Sequence, residues 1–254
     1  MAGPSETLTE LQRLADEAGR LAQSERARLA RELKSDGSIV TNADKAVETW
    51  LRNELTSFIP GTTVWGEEFG FEDAGTNGRW LVDPVDGTSN FAFGSPLWGV
   101  SIGFEVGGRL KMGAVALPDL RETFLAEDGG GAFLNGELLP PIPAGPIRPE
   151  ELTSYNDTVV RTVTSVPGKM RLSGAFVVDG TFTVRQRYRA LVAIREKLYD
   201  VAACVVMARE VGADVRYIDG SPFDEKELLH DKKIGRLWGI LPRDSGWVTE
   251  SSAL

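Results

Sequence analysis

Two carboxylates three positions apart, Asp83 and Asp86, flank a proline in the run Trp80-Leu81-Val82-Asp83-Pro84-Val85-Asp86-Gly87-Thr88-Ser89-Asn90. As local chemistry, Asp, Pro and a nearby Gly are the residues of a type I turn. As metal chemistry, they put two carboxylates at the end of a strand with the Val85 carbonyl between them. That hard-oxygen set suits Mg²⁺, which favours octahedral oxygen coordination and keeps several waters, so positions remain for a further oxygen ligand. Gly87 lets an anion approach the backbone, and the N–H groups of a short helix over residues 88–93 would point at it. An anion cradle directly beside metal ligands is more specific than either part.

Three other acidic positions qualify as partners, each with an ordinary structural role to weigh against. Glu67 of Gly66-Glu67-Glu68 closes a short strand sixteen residues before Asp83, although Glu-Glu pairs commonly sit solvated at the surface. Asp44 follows Thr41-Asn42-Ala43 at the spacing of a capping box, with Asp in place of Glu. Asp200 opens an apolar helix, where Asp is a favoured N-cap.

The elements that would position these groups follow from periodicity. Leu8, Leu11, Leu14, Ala15, Ala18, Leu21, Ala22, Leu29 and Leu33 keep a 3.6-residue period, which predicts a helix over 5–34. A second helix is expected over 42–58, ended by Pro60-Gly61. Short strands are expected at 62–65 and 80–82, separated by a polar loop at 71–79. A hairpin over 98–104 and 111–117 turns at Gly107-Gly108, and strands at 122–126 and 131–134 lead to the turn dipeptide Asn135-Gly136. Residues 140–149, Pro-Pro-Ile-Pro-Ala-Gly-Pro-Ile-Arg-Pro, mark a boundary between a first half, 1–139, and a second, 150–254. In the second half 158–165 is β-rich and 176–178 a short apolar piece. Residues 183–189 alternate so that Arg185, Arg187 and Arg189 share a strand face. A helix over 200–211, a strand over 214–218 and a last strand over 236–241 complete a mixed α/β or α+β layered fold.

Composition narrows the function. A net charge of −9 and a pI near 4.9 argue against a nucleic-acid surface. One cysteine, Cys204 in an apolar run, excludes a disulfide framework and a Cys-rich zinc site, and one histidine, His230, excludes a His-rich one. No apolar span reaches eighteen residues and no secretory leader is visible, so a cytoplasmic protein without a membrane partner is expected.

Taken together, Val40-Thr41-x-x-Asp44, Gly66-Glu67-Glu68, Trp80-x-Val82-Asp83-Pro84-Val85-Asp86-Gly87-Thr88-x-Asn90-Phe91, Gly131-Ala132-Phe133-Leu134-Asn135-Gly136, Arg171-x-x-Gly174 and Tyr199-Asp200-Val201-Ala202-Ala203 resemble the inositol monophosphatase family of metal-dependent, lithium-sensitive phosphatases. The resemblance spans most of the chain. It implies a five-layered αβαβα sandwich of the sugar-phosphatase type, commonly a homodimer, with most ligands in the first half and Asp200 and the pocket wall in the second. It implies that Glu67, Asp83 and the Val85 carbonyl hold a first Mg²⁺, and that Asp83, Asp86 and Asp200 hold a second, with Glu67 near a third, weaker ion. Asp44 and Thr88 resemble the pair that orients and deprotonates the attacking water. Gly87, Thr88, Ser89, Gly174, Ala175 and Ala193 then border the phosphate and substrate.

The pattern departs from the family at the substrate end. Ala193 stands where a hydroxyl-binding Glu is common, Phe176 where small residues are usual, and Tyr199 where Trp is usual. These changes leave phosphomonoester hydrolysis in place and open the substrate. Inositol or a related sugar phosphate, histidinol phosphate, fructose 1,6-bisphosphate and 3′-phosphoadenosine 5′-phosphate all stay in view. Gly66-Glu67-Glu68-Phe69-Gly70 also occurs in histidinol-phosphate phosphatases of the superfamily. The basic run Arg185, Arg187, Arg189, Arg195 and Lys197 reads as an exposed face, a subunit contact, or recognition of a second anionic group. An aspartyl-phosphate phosphatase would need Asp-x-Asp, which Asp83 and Asp86 do not form. A degenerate, non-catalytic family member predicts a lost ligand, and none is lost.

Overall fold

The computed structural model describes residues 3–35, 37–162 and 167–247. Helix α1 (Glu6–Arg26) starts where the Ser5 hydroxyl accepts the Leu8 N–H, and it buries Leu8, Leu11, Leu14, Ala15, Ala18 and Ala22. The helix does not run on to residue 34 as its periodicity predicts. Strand β1 (Arg31–Leu33) instead pairs antiparallel with β2 (Ile39–Thr41), leaving Leu33 exposed; the Asn42 N–H donates to the Ala30 carbonyl, and the Ala30 N–H donates to Asn42 Oδ1. This pairing occupies the backbone groups that a longer helix would use.

Helix α2 (Asn42–Phe58) packs with α1 on one face of a seven-stranded sheet. Its strands run in sequence order: β3 (Thr63–Gly66), β4 (Arg79–Asp86), β5 (Gly99–Val106), β6 (Arg109–Leu117), β7 (Glu122–Glu127), β8 (Gly131–Leu134) and β9 (Glu137–Leu138). Only β3 and β4 are parallel; the others form an antiparallel meander. Short helix α3 (Thr88–Ala92) follows β4.

The second sheet contains β10 (Leu152–Tyr155), β11 (Lys169–Arg171), β12 (Ala190–Ala193), β13 (Asp214–Tyr217) and β14 (Trp238–Leu241), in the order β11-β10-β12-β14-β13. Helices α5 (Phe176–Val184) and α6 (Leu198–Glu210) fill the space between the two sheets, and α4 (Asp157–Thr162) covers the far face of the second. The layers are therefore α1/α2, sheet, α5/α6, sheet, α4, a sandwich with a separate apolar cluster on each outer side and a central one between the sheets. An apolar helix on all sides is what a central layer demands, and α6 buries Leu198, Tyr199 and all of Val201–Ala208. It lies unusually close to the first sheet. A methyl group added at Gly103 would lie 2.5 Å from the Ala202 Cβ, and one at Gly113 would lie 2.6 Å from the Ala203 Cα.

Two expectations in the second half are corrected. Residues 157–162 are helical, because the Asn156 side chain accepts the Val159 N–H and caps α4; residues 163–166 lie outside the described set. Residues 183–189 are not a strand. The β-branched residues that suggest one belong to α5, where the Thr181 and Thr183 hydroxyls donate to carbonyls one turn back, at Val177 and Asp179. The chain then turns through Gln186 at positive φ. The three arginines do not share a face: Arg185 and Arg187 both pair with Glu122 of β7, and Arg189 donates to the Pro143 and Gly145 carbonyls. Among the described residues no helix is long and apolar enough to cross a membrane.

Asp119 ties the end of α1 to the sheet. Its carboxylate accepts from Trp98 Nε1 at 2.7 Å, Arg26 Nη1 at 2.9 Å and Gln23 Nε2 at 2.9 Å, while the Arg26 guanidinium lies 4.3 Å from the Phe91 ring centroid. Burial pushes this carboxyl up, but the three donors outweigh it and hold it below the ordinary aspartate value. A depressed carboxyl stabilises the fold above its unfolded pKa, and the effect fades as pH falls through the folded one. Asp119→Asn should therefore cost about 1–2 kcal/mol at pH 7. Thermal melts should show the gap from wild type closing as pH falls below about 4; a gap independent of pH would contradict the assignment.

Candidate active site

The Asp83-Pro84 step is not a turn. Strand β4 continues to Asp86, with an irregularity in its pairing to β5 between Asp83 and Asp86. Proline has no N–H for a ladder, and a bulge is where a strand tolerates it. The irregular register lets both carboxylates reach the same end of the sheet. Asp83 Oδ1 accepts the Val85 N–H at 3.1 Å, and the Asp86 carboxylate accepts the Val177 N–H at the start of α5. Gly87 follows at φ +80, and α3 begins at Thr88.

Both outlying aspartates are held at helix starts, Asp44 by a capping box and Asp200 by the N–H of the N-cap residue. Asp44 Oδ2 accepts from the Thr41 N–H at 2.9 Å and the Thr41 hydroxyl at 2.5 Å, at the start of α2. Its other oxygen, Oδ1, accepts from the Thr88 hydroxyl at 3.3 Å; Thr88 Oγ1 also lies 3.0 Å from the Val85 carbonyl. Asp200 is the third residue of α6 rather than its N-cap. Lys197 takes the cap position, and its N–H donates to Asp200 Oδ2 at 2.7 Å. The Asp44 box uses Oδ2 for the helix and leaves Oδ1 to the Thr88 hydroxyl just beyond β4.

Two residues not singled out from the sequence complete the frame. Glu48, one turn after Asp44 and fully buried, accepts the N–H groups of Glu68 at 2.7 Å and Phe69 at 3.1 Å. It fixes the loop that carries Glu67, and its signal was its place on the same buried helix face as Asp44. Lys34 reaches Glu67 Oε1 at 2.9 Å and Glu68 Oε1 at 2.6 Å. Nothing local to Lys34 marked it, since its partners come from thirty-three and thirty-four residues away.

The electrostatics are those of crowded acids. Burial first, then the charge of Glu67 and the neighbouring aspartates, lift Asp83 and Asp200 well above the ordinary carboxylate range and Asp86 to about 7. Asp44 is raised chiefly by burial, against which its Thr41 hydrogen bonds act. Glu68 is pushed up to about 7 by burial, partly offset by Lys34. Among the described residues no three Asp, Glu, His or Cys side chains converge to hold an ion in this arrangement. Lys34 engages Glu67, and Asp83, Asp86 and Asp200 each give an oxygen to a backbone N–H. The donor set nevertheless fits a hard divalent cation. It is all oxygen and mutually repelling, and a bound cation relieves that repulsion.

Of the remaining sequence candidates, Ser89 is exposed on α3 and Gly174 is exposed beside it, 3.3 Å from an Asn90 side-chain atom if given a Cβ. Ala175 abuts Gly87. Ala193 lies fully buried at the end of β12 and is not among the residues that line the neighbouring cavity.

A model of the inositol monophosphatase family matches residues 4–234. The chain is 39% identical over 125 residues to a histidinol-phosphatase of Chlorobaculum parvum, a match covering 48% of each chain. It is 30% identical over 217 residues to a fructose-1,6-bisphosphatase/inositol-1-monophosphatase of Thermotoga maritima, covering 77% of this chain and 81% of that one. In fold it is similar to a solved IMPase/NADP phosphatase complexed with Mg²⁺ and phosphate, with a TM-score of 0.78, 20% identity and 92% of both chains covered.

Two outcomes test this frame. A Cβ at Gly66 would lie 2.0 Å from Glu48 Oε1, so Gly66→Ala should cost about 1–3 kcal/mol in denaturant unfolding; a neutral result would show that Glu48 is not packed there. In thermal melts with EDTA, Asp83→Asn should be more stable than wild type, because it removes a buried repelling charge. Added Mg²⁺ should raise the wild-type melting temperature and move the variant less; equal shifts would argue against Asp83 as a ligand.

Proposed function

The chain belongs to the inositol monophosphatase family of phosphoric monoester hydrolases, and we propose that it hydrolyses a small phosphorylated alcohol at the carboxylate cluster around Asp83 and Asp86. The observation that carries this reading is the Thr88 hydroxyl, set between Asp44 Oδ1 and the Val85 carbonyl beside buried acids from β4 and α6.

On this reading Glu67, Asp83 and the Val85 carbonyl hold one Mg²⁺, and Asp83, Asp86 and Asp200 hold a second, with Glu67 also near a weaker third site. Bound Mg²⁺ acidifies water and offsets charge on the phosphoryl oxygens. Thr88 and Asp44 orient the nucleophilic water and accept its proton. Burial of Asp44 makes its carboxylate a stronger base than a solvated one. The backbone at Gly87, Thr88 and Ser89 binds the phosphate, and Glu48 keeps Glu67 in place by holding its loop. Recognition of the alcohol falls to the wall beyond Gly174 and Ala175. The finer parts of the reading are a homodimer, action in the cytoplasm, and a division of labour in which residues 1–139 supply most ligands and 150–254 supply Asp200 and the pocket wall.

Phosphate release from inositol 1-phosphate, histidinol phosphate, fructose 1,6-bisphosphate and 3′-phosphoadenosine 5′-phosphate tests the proposal. Release should require Mg²⁺, stop with EDTA and fall with added Li⁺; no release from any ester would refute it. Asp86→Asn should lower kcat by about a hundredfold or more while circular dichroism stays that of wild type. Retained turnover would remove Asp86 from the ligand set.

A further inference from the structure

Beyond Gly174 and Ala175 the chain forms a half-open cavity of about 310 Å³ with walls of Leu172, Ala175, Phe176 and Leu191. Its polar lining is Asn156, Asp157, Asp179 and Glu196, and among the described residues no lysine, arginine or histidine lines it. An apolar cavity whose ionisable groups are all acids is complementary to a cation on an apolar body, and it opposes a second phosphate.

The two deep acids lack basic partners. Asp179 is 5% exposed, and its Oδ1 has no hydrogen-bond partner. Burial, against contacts with Ser173 and Ser154, lifts its carboxyl to about 7. Glu196 receives only neutral donors, Asn156 Nδ2 at 2.5 Å and Trp238 Nε1 at 3.2 Å, which fix its orientation and leave its charge uncompensated. Phe176, stacked on Trp238 at 5.7 Å, adds an aromatic wall. Several basic side chains nearby in sequence have other partners: Arg185 and Arg187 pair with Glu122, Arg189 with backbone carbonyls and Glu151, and Lys197 with Asp231.

This cavity adjoins the phosphate position. The Val177 N–H donates to Asp86, Asn90 Nδ2 donates to the Ser173 carbonyl at 2.8 Å, and a Cβ at Gly87 would lie 2.7 Å from the Ala175 Cβ. An alcohol whose phosphate sat at Gly87 and Thr88 would reach past Ala175 toward the acidic cavity.

Resting on the phosphatase reading above, we propose that the site selects phosphate esters of short alcohols bearing a protonated amine or imidazole, with Asp179 and Glu196 as specificity-determining residues. The ion pair forms on binding and is made by the carboxylates; no covalent step is involved.

The test compares kcat/KM for histidinol phosphate, as the cationic ester, with that for inositol 1-phosphate and fructose 1,6-bisphosphate. Wild type should prefer the cationic ester. In Glu196→Gln and Asp179→Asn the ratio of cationic to neutral ester should fall about tenfold or more, through KM. Asp179→Glu should recover part of the loss. Should Asp179→Asn not fold, Glu196→Gln decides alone. A ratio that does not move, or equal losses on every ester, would overturn the proposal. Calorimetric titration of L-histidinol into the protein with inorganic phosphate reads the cavity without turnover. Binding that weakens in Glu196→Gln supports the cavity even if no ester is hydrolysed, an outcome that would sink only the phosphatase reading. Absence of histidinol binding would overturn the cavity assignment itself.

Discussion

Repulsion between buried acids is the constraint around which this molecule is assembled. Asp44, Glu67, Asp83, Asp86 and Asp200 come from four separate stretches of chain, and burial together with the charge of neighbouring acids raises the proton affinity of the four aspartates. Side chains left to themselves would move apart. What holds them is backbone: the irregular pairing of β4, the capping box of α2, the Lys197 N–H at the start of α6, and a buried glutamate that grips the loop of Glu67. In each case a carboxylate accepts backbone N–H groups, partners that do not consume a second charged residue. Two side-chain cations join them: Lys34 engages Glu67 and Glu68 from the β1–β2 ribbon, and Arg52 pairs with Glu48 at 3.0 Å.

The layered architecture follows from bringing those stretches together. Asp83 and Asp86 sit at the end of a strand in the first sheet, Asp44 on a helix of one outer layer, and Asp200 on a helix of the central layer. Only a sandwich with helices on both faces of that sheet lets all of them meet at one end. The second sheet backs the central helices and, with α5, supplies the cavity wall. Asp86 is the junction, since its carboxylate also receives the first turn of α5.

How much of this was legible depended on whether a residue's role is local. Thr41 and Asp44 stand at capping-box spacing, and the box is there. The helix over 42–58 and the meander of the first sheet followed from period and glycine turns, because their packing agrees with their propensity. Asp83-Pro84 was ambiguous for a physical reason: a proline bulge and a proline turn use the same residues, and only pairing with β5 separates them. The stretch 176–189 misled because Val, Thr and Phe favour strands, while burial between two sheets makes the same residues a helix. Lys34, Asp179 and Glu196 take their meaning from distant partners or from a cavity that exists only once the layers close. No spacing rule reaches them.

The contact between α6 and the first sheet has a further consequence. At Gly103 and Gly113 the sheet meets Ala202 and Ala203 without intervening carbon, so the height of the helix above the strands is set by two positions with no side chain and no part in the chemistry. One methyl there would act as a shim, lifting the helix and with it Asp200 relative to Asp83 and Asp86. Such a scaffold has a mechanical adjustment independent of its chemical one: the same acids can be kept while their separation drifts. Two chains with identical acids could then prefer cations of different radius, and an inventory of those acids would not reveal it.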